Sequence, residues 1–386
     1  MRIVFFTHPP FLGSQSMPRF ATMLNAGMQA RGHQTEVWTP QGFFLKLPVP
    51  ASLKKWMGYL DQYILFPAQV RKRLKAYPAN TLFVFTDQAL GPWVPLVKHR
   101  PHVIHCHDFL AQRSALGKIP ENPTGKSGQA YQAYIRKGYQ QGQNFISVSK
   151  QTQHDLHQFL DRTPKLSEVV YNGLNQKFQA DSAAKVRQVI GDDIKVKLTT
   201  GYLLHIGGNQ WYKNRIGVIE IYNAWRQLYN TDLPLIMIGA APNGKLQEAY
   251  SQSPYQKDIY LLTGKSDEFV RLAYQGASVF IFPSLAEGFG WPIAEAMASG
   301  CPVITTNQAP MTEVGGNAAY YIVSRPHRQP EVNAWAEMAA SKVNDLLRLS
   351  PDERQMTIEA GIQNAKRFDS DSSLAAIETI YKRVLV

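Results

Sequence analysis

The sequence holds only two cysteines in 386 residues, Cys106 and Cys301. Two thiols exclude a disulfide framework, and the simplest reading is a reduced pair in a cytosolic protein. No apolar run approaches the roughly 18 residues that span a bilayer. The opening run, Met1 to Phe6, gives way to His8-Pro9-Pro10, too short for the core of a secretory leader. The 27 glycines and 24 prolines follow no G-X-Y period, which excludes a collagen-like repeat. Acidic residues are scarce in the first half: 11 Asp and Glu face 25 Lys and Arg over residues 1–200, against 18 facing 16 over 201–386. The whole of the formal +12 therefore lies in the first half. Such asymmetry points to an anionic partner (nucleic acid, an anionic membrane surface or an acidic substrate), or else to a basic face that serves solubility. What is present is core material: 44% hydrophobic and 11% aromatic residues exclude a disordered chain. The length suggests two domains, and the expectation is a soluble intracellular globular protein.

Short apolar runs alternate with stretches of helical length. Ile3 to Phe6 reads as a buried strand, Gly13 to Ser16 as a small-residue loop, and Ser16 as the cap of a helix carrying Phe20, Met23, Leu24 and Met28 and ended by Gly32. Further strands are expected at 36–39, 81–85, 102–106, 145–148 and 169–171, then at 202–206, 235–238, 259–262, 279–282 and 302–304. Strand–helix–strand units of this kind build parallel sheets. The polar stretch 175–200 is the expected domain junction. The fold class is α/β, two doubly wound parallel sheets, with ligands bound beyond the carboxyl ends of the strands and in the cleft between the domains. Residues 43–75 fit less well: Phe43, Phe44, Leu47, Leu53, Trp56 and Tyr59 interleave with Lys46, Lys54, Lys55, Arg71, Lys72 and Arg73. That is the composition of an interfacial amphipathic helix or of an ordinary surface helix, and flotation with anionic vesicles separates the two.

The most informative segment runs from Pro283 to Ile304, between a strand and the helix that follows it. Gly288 and Gly290 allow a sharp turn and close approach to a ligand. Pro292 suits a first helical turn, and Gly300 with Pro302 suits its end. The amides at such a helix start, those of Phe289 and Gly290, form an anion site. Glu287 on the loop and Glu295, expected in the first turn, offer carboxylates to sugar hydroxyls. A third glycine and an acid ending the next strand are missing, so a dinucleotide fingerprint is not supported. A second loop, Gly207 to Arg215, combines a glycine turn with Lys213 and Arg215 and suits a diphosphate; a solvated basic loop is the alternative. The third feature is His105-Cys106-His107-Asp108 at a strand end. His-x-His puts two rings on one face, but further ligands at metal spacing are lacking, so hydrogen-bonded histidines are expected and no metal.

Taken together, these segments resemble the retaining glycosyltransferases of the GT-B fold, family 4. The Glu287–Glu295 pair matches the family's E-x7-E signature, and the likeness extends through Gly13, Phe145 to Lys150, Tyr171-Asn172-Gly173 and Thr312 to Ala318. The resemblance implies two Rossmann-like domains facing a central cleft: an acceptor-side domain over 1–175, a donor domain over 200–365, and a C-terminal helix, 366–386, packing back on the first. It implies transfer of a hexose from a nucleoside-diphosphate sugar to a glycan or lipid-linked acceptor with retained configuration. No metal or other cofactor and no nucleic acid are implied, and peripheral contact with an anionic membrane fits the basic half. In the implied roles Glu287 and His107 act at the donor hexose. Glu295 holds the ribose, while Lys213, Phe289 and Gly290 meet the diphosphate. Thr263 and Gly264 line the base pocket, and Gly13 lies in the first loop. The sequence departs from the family where Gly208 and Asn209 stand in place of an Arg; Arg215 is then a substitute cation or faces solvent. The alternatives are a GT-B phosphorylase or epimerase, or a catalytically silent protein that binds nucleotide sugars or polyanions.

Overall fold

Ile3 to Phe6 are fully buried, and alternate members face opposite ways. Val4 and Phe6 join one core with Trp38, Phe66 and Trp93, while Ile3 and Phe5 join another with Phe20, Leu24 and Leu374. A strand buried on both faces needs no polar alternation, hence the continuous apolar run. Each such aromatic taken from water contributes about 1.5–3 kcal/mol.

This strand, β1 (Arg2–Phe6), is the first of six in a parallel sheet. The others are β2 (Gln34–Trp38), β3 (Leu82–Phe85), β4 (His102–Cys106), β5 (Asn144–Ser147) and β6 (Leu166–Val169). Their order is β2-β1-β3-β4-β5-β6. A second parallel sheet holds β7 (Leu203–Ile206), β8 (Leu235–Ile238), β9 (Ile259–Leu262), β10 (Val279–Phe282), β11 (Val303–Thr306) and β12 (Tyr320–Ile322), in the order β12-β11-β10-β7-β8-β9. The computed structural model describes residues 1–13, 16–174 and 177–386, so Ser14 and Gln15 of the expected loop and Asn175 and Gln176 of the expected junction lie outside the described residues. The chain divides into one unit of Met1–Asn175 with Ser370–Val386 and a second of Gln176–Asp369. The first carries 22 Lys and Arg against 10 Asp and Glu, the second 19 of each, so the entire net charge resides on the first.

The helix Ser370–Leu385 covers one face of the first sheet through Leu374, Ile377, Ile380 and Tyr381. It sits so close to the helix Ser16–Ala30 that a Cβ on Gly27 would lie 2.6 Å from Leu374. Two strands depart from expectation. β6 begins three residues earlier than the run 169–171, because an edge strand half-covered on its outer side reads Leu-Ser-Glu-Val. β12 was not expected at all, being a three-residue edge strand, Tyr-Tyr-Ile, of which only Ile322 is buried. The polar stretch 175–200 is no bare linker either: Ala183–Ile194 is a helix burying Val186 and Ile190.

Residues 43–75 form a 3-10 turn (Phe44–Lys46) and two helical segments, Ala51–Leu60 and Phe66–Leu74, joined through a π turn over Asp61–Leu65. The buried Asp61 carboxylate accepts the amides of Phe43, Phe44 and Leu45 at 2.9–3.2 Å, which fixes the first turn on the helix. Phe43, Trp56 and Ile64 remain 60–64% exposed. Among the described residues no helix is long and apolar enough to cross a membrane.

Candidate functional site

In an open parallel sheet the ligand crevice forms where the strand order reverses, beyond the carboxyl ends. In the second sheet that point lies between β7 and β10, which pair with Val279 opposite Leu203. The loop after β7 carries Gly207 to Arg215, and the loop after β10 carries Pro283 to Gly290. Leu285 N–H donates to Tyr212 O at 2.8 Å and Asn214 Nδ2 to Pro283 O at 3.0 Å, so the two loops are fastened to each other. Across them Lys213 Nζ donates to Glu287 Oε1 at 2.7 Å, and Ser284 Oγ reaches the same oxygen at 2.7 Å. Both partners are largely shielded, at 15% and 9% side-chain exposure. The ammonium also lies 5.1 Å from the Phe282 ring centre and 5.4 Å from that of Tyr212. A cation and a carboxylate 74 residues apart in sequence thus meet at the reversal point.

Gly290 (φ +108°) adopts the left-handed conformation that starts the helix Trp291–Ala298, with Pro292 in its first turn. The ring of Phe289 is buried against Phe368, at a centroid distance of 5.4 Å. Glu295 belongs to the second turn rather than the first, because the helix begins at Trp291; its Oε2 accepts from the buried Tyr274 hydroxyl at 3.0 Å. Burial and the Glu295 charge push the Tyr274 phenol well up, so it stays a donor.

Of the two expected positions for Arg215, solvent is not the one it takes. It is 5% exposed and donates to Asn209 Oδ1 at 2.6 Å and Ala240 O at 2.8 Å. Asn209 in turn donates to Ala241 O at 2.5 Å. Through Arg215 Nη1 and Asn209 the two side chains brace the loop after β7 to the loop after β8. An unpaired guanidinium could not stay that deep without such acceptors. Thr263 and Gly264 (φ +65°) follow β9, the edge strand two places from β7, and both are exposed.

In the first sheet the order reverses between β1 and β3, and this point carries a hydrogen-bonded pair: His8 Nε2 lies 2.9 Å from Asp87 Oδ2. Neither residue was singled out from sequence. The available signal was an imidazole and a carboxylate each within two residues of a strand end, and it becomes legible only once the strand order is known. Burial works against the Asp87 charge, but the hydrogen bond from His8, the neighbouring imidazoles of His8 and His107 and the Ala89 amide outweigh it and hold the pKa below the ordinary carboxylate value. The resulting stability is complete above the unfolded value of about 4 and is lost as pH falls through the folded one. Asp87→Asn is therefore expected to lower stability by about 1–3 kcal/mol near pH 7, with the gap to wild type narrowing below about pH 4. Urea melts over pH 3–7 measure it, and a gap that does not change with pH refutes the assignment.

His105 and His107 do share a face, with centroids 5.3 and 4.4 Å from the Phe20 ring. His105 is the deeper, hydrogen-bonded through Nε2 to Tyr381 Oη at 2.7 Å, and burial drives its pKa down to about 3. His107 Nε2 donates to Thr86 O at 2.9 Å; burial keeps the ring neutral, leaving Nδ1 as an acceptor. Among the described residues no three His, Cys, Asp or Glu side chains gather as metal ligands. Gly13 (φ +67°) closes the turn Pro10–Leu12 in the loop after β1.

Two family descriptions match the chain: Glycosyltransferase Family 4 over residues 17–178 and Glycosyl transferases group 1 over residues 200–345. The chain is 29% identical over 185 residues to O-antigen chain mannosyltransferase B of Escherichia coli, covering 47% of this chain and 46% of that protein. It is 28% identical over 155 residues to O-antigen chain mannosyltransferase RfbU of Salmonella typhimurium, covering 40% and 39%. These matches span less than half the length of either relative. The structure of HepE from Anabaena in complex with UDP and glucose superposes with a TM-score of 0.72 at 17% identity, covering 99% of this chain and all of that one. That likeness shows the fold. With both sheets of the GT-B architecture present and a family description matched on each, the chain belongs to the group 1, family 4 glycosyltransferases.

Proposed function

We propose that this protein transfers a hexose from a nucleoside-diphosphate sugar to a hydroxyl of a glycan or lipid-linked acceptor, with retention, in the assembly of a surface polysaccharide. The observation that carries this reading is the Lys213–Glu287 pair, 2.7 Å apart at the reversal point of the second sheet. The hard step in such a transfer is departure of the diphosphate, which gathers negative charge as the anomeric C–O bond breaks. A fixed ammonium and the amino end of the helix after Gly290 are the groups that favour that charge, without reorganising when it forms. The sugar becomes oxocarbenium-like at the same moment, and the Glu287 carboxylate favours it. Glu295, oriented by Tyr274, is assigned to the ribose hydroxyls, and the neutral His107 offers Nδ1 to a sugar hydroxyl. No metal is assigned, since lysine and backbone donors take that part.

The names of the two relatives favour a mannosyl donor and an O-antigen-type chain as acceptor. A thermal-shift screen of UDP-, GDP- and ADP-sugars, followed by assay of nucleoside diphosphate release with and without acceptor, tests the reading. Stabilisation by one sugar nucleotide and acceptor-dependent release are expected. Tight binding without release under any acceptor condition would instead make the protein a silent nucleotide-sugar binder.

A further inference from the structure

The amino ends of β4, β5 and β6 lie on the rim of the first sheet opposite its reversal point. A cavity of about 730 Å³ opens there, and its lining includes Lys98, Arg100, His102, Lys165 and Arg383 but no aspartate or glutamate. Topology explains the concentration of charge. Lys98 and Arg100 precede β4, Lys165 precedes β6, and parallel pairing brings these strand starts side by side.

No side-chain acid cancels most of this charge. Arg383 is paired with Glu168 at 3.0 Å, but the Arg100 guanidinium meets the carbonyl oxygens of Tyr77, Pro78 and Ala79 and lies 5.4 Å from the Phe83 ring centre. Among the described residues the ammonium groups of Lys98 and Lys165 have no partner, although Lys98 is half-buried. Three cationic side chains without a side-chain acid partner thus share one concavity, whose lining also includes the last residue, Val386, and the excess of cations concentrates field.

The floor is rigid. His102 is 1% exposed, donates from Nδ1 to Arg100 O at 2.8 Å and accepts the Gln143 amide on Nε2 at 3.0 Å. Both ring nitrogens are used by a neutral imidazole, and burial together with the fields of Lys165 and Arg162 keeps it so. Asn144 Nδ2 donates to His102 O at 2.9 Å and ties the second strand start to the first. The charge therefore stands on a neutral, fully hydrogen-bonded base, and nothing in the glycosyl-transfer reading uses it.

We propose that this cavity is an anion site for a multiply charged phosphate group, a pyrophosphate or phosphomonoester, held by Lys98 and Lys165 with Arg100 supplying background charge. Lysines suit such a group as mobile point charges, and the volume leaves room for an organic portion attached to the phosphate. The cavity belongs to the first unit and shares no residue with the Lys213 loop of the second, so the proposal stands or falls independently of the proposed reaction.

Hydrogen–deuterium exchange of the full chain with inorganic pyrophosphate tests it, with sulfate at matched ionic strength as control. Saturable protection of segments 98–102 and 143–144 is expected with pyrophosphate and not with sulfate. Lys98→Gln with Lys165→Gln is expected to weaken that protection at least tenfold and leave exchange in 207–215 as in wild type, while the double Lys→Arg variant retains it. Three results would overturn the site: no protection, equal protection by sulfate, or an unaffected double Gln variant. Protection by phosphatidic acid vesicles but not by free pyrophosphate would also overturn it, in favour of membrane contact.

Discussion

Lys213→Ala is expected to lower kcat/KM for glycosyl transfer by about 10²–10³-fold, the cost of removing one preorganised donor from a developing oxyanion. The loss should appear in kcat as well as KM, because the leaving diphosphate is more charged in the transition state than in the bound donor. The fold should survive: the lysine projects from loops held together by the Leu285–Tyr212 and Asn214–Pro283 hydrogen bonds, neither of which involves its side chain. The variant leaves the shielded Glu287 carboxylate with the Ser284 hydroxyl and without its cation, so a small drop in Tm is part of the expectation. Glu287→Gln separates the roles: it should reduce transfer while retaining nucleoside diphosphate binding. Steady-state kinetics alongside circular dichroism decide the matter. Turnover of Lys213→Ala within threefold of wild type would remove the lysine from the chemistry and with it the main support for the proposed function.

Gly239→Ala is expected to be nearly as damaging although Gly239 offers no side chain to any ligand. An added Cβ would sit 1.9 Å from Gly207 O and 2.9 Å from Gly207 C, so what must yield is backbone, not a side-chain tip. Gly239 follows β8 and Gly207 follows β7, and the Gly207 amide bonds Ile238 O at 3.0 Å in the same approach. Displacing the start of this loop carries Lys213 with it. Overpacking ordinarily costs about 1–3 kcal/mol, and a backbone clash of this depth belongs at or above the top of that range. Chemical denaturation should show the stability loss, and titration with the donor found by the thermal-shift screen should show weakened binding at temperatures where the variant is still folded. Wild-type values in both experiments would mean that the two loops separate more easily than their packing implies.

Much of the fold was legible because strands buried on both faces write themselves as unbroken apolar runs; β1, β3, β8 and β10 are of this kind. Legibility failed at the edges. β6 and β12 each have one flank without a partner strand, and their sequences carry Ser, Glu and Tyr where a central strand would carry Val or Ile. The loops were harder. The place of Arg215 stayed open between a donor-side cation and a solvent-facing one, because sequence gives no hint that Asn209 and the Ala240 carbonyl are waiting for it. Pro292 stands in the first turn of the helix after Gly290 as expected, but Glu295, assigned to the same turn on charge, falls in the second because the helix begins at Trp291. His8 and Asp87 were invisible for another reason. They meet only because β3, the third strand in sequence, is inserted beside β1 in space.

The return of the helix Ser370–Leu385 to the first unit bears on how the protein is made. Half of the layer that covers Ile3, Phe5 and Val84 leaves the ribosome after the entire second unit, the other half being the early helix with Phe20 and Leu24, and Tyr381 is the residue that meets the buried His105 ring. Until then the nascent first sheet exposes an apolar face and an unmatched imidazole. The late stretch of the chain thereby gates the maturation of its earliest part, and a ribosome stalled before residue 370 would hold a half-clad sheet in the reach of chaperones and proteases.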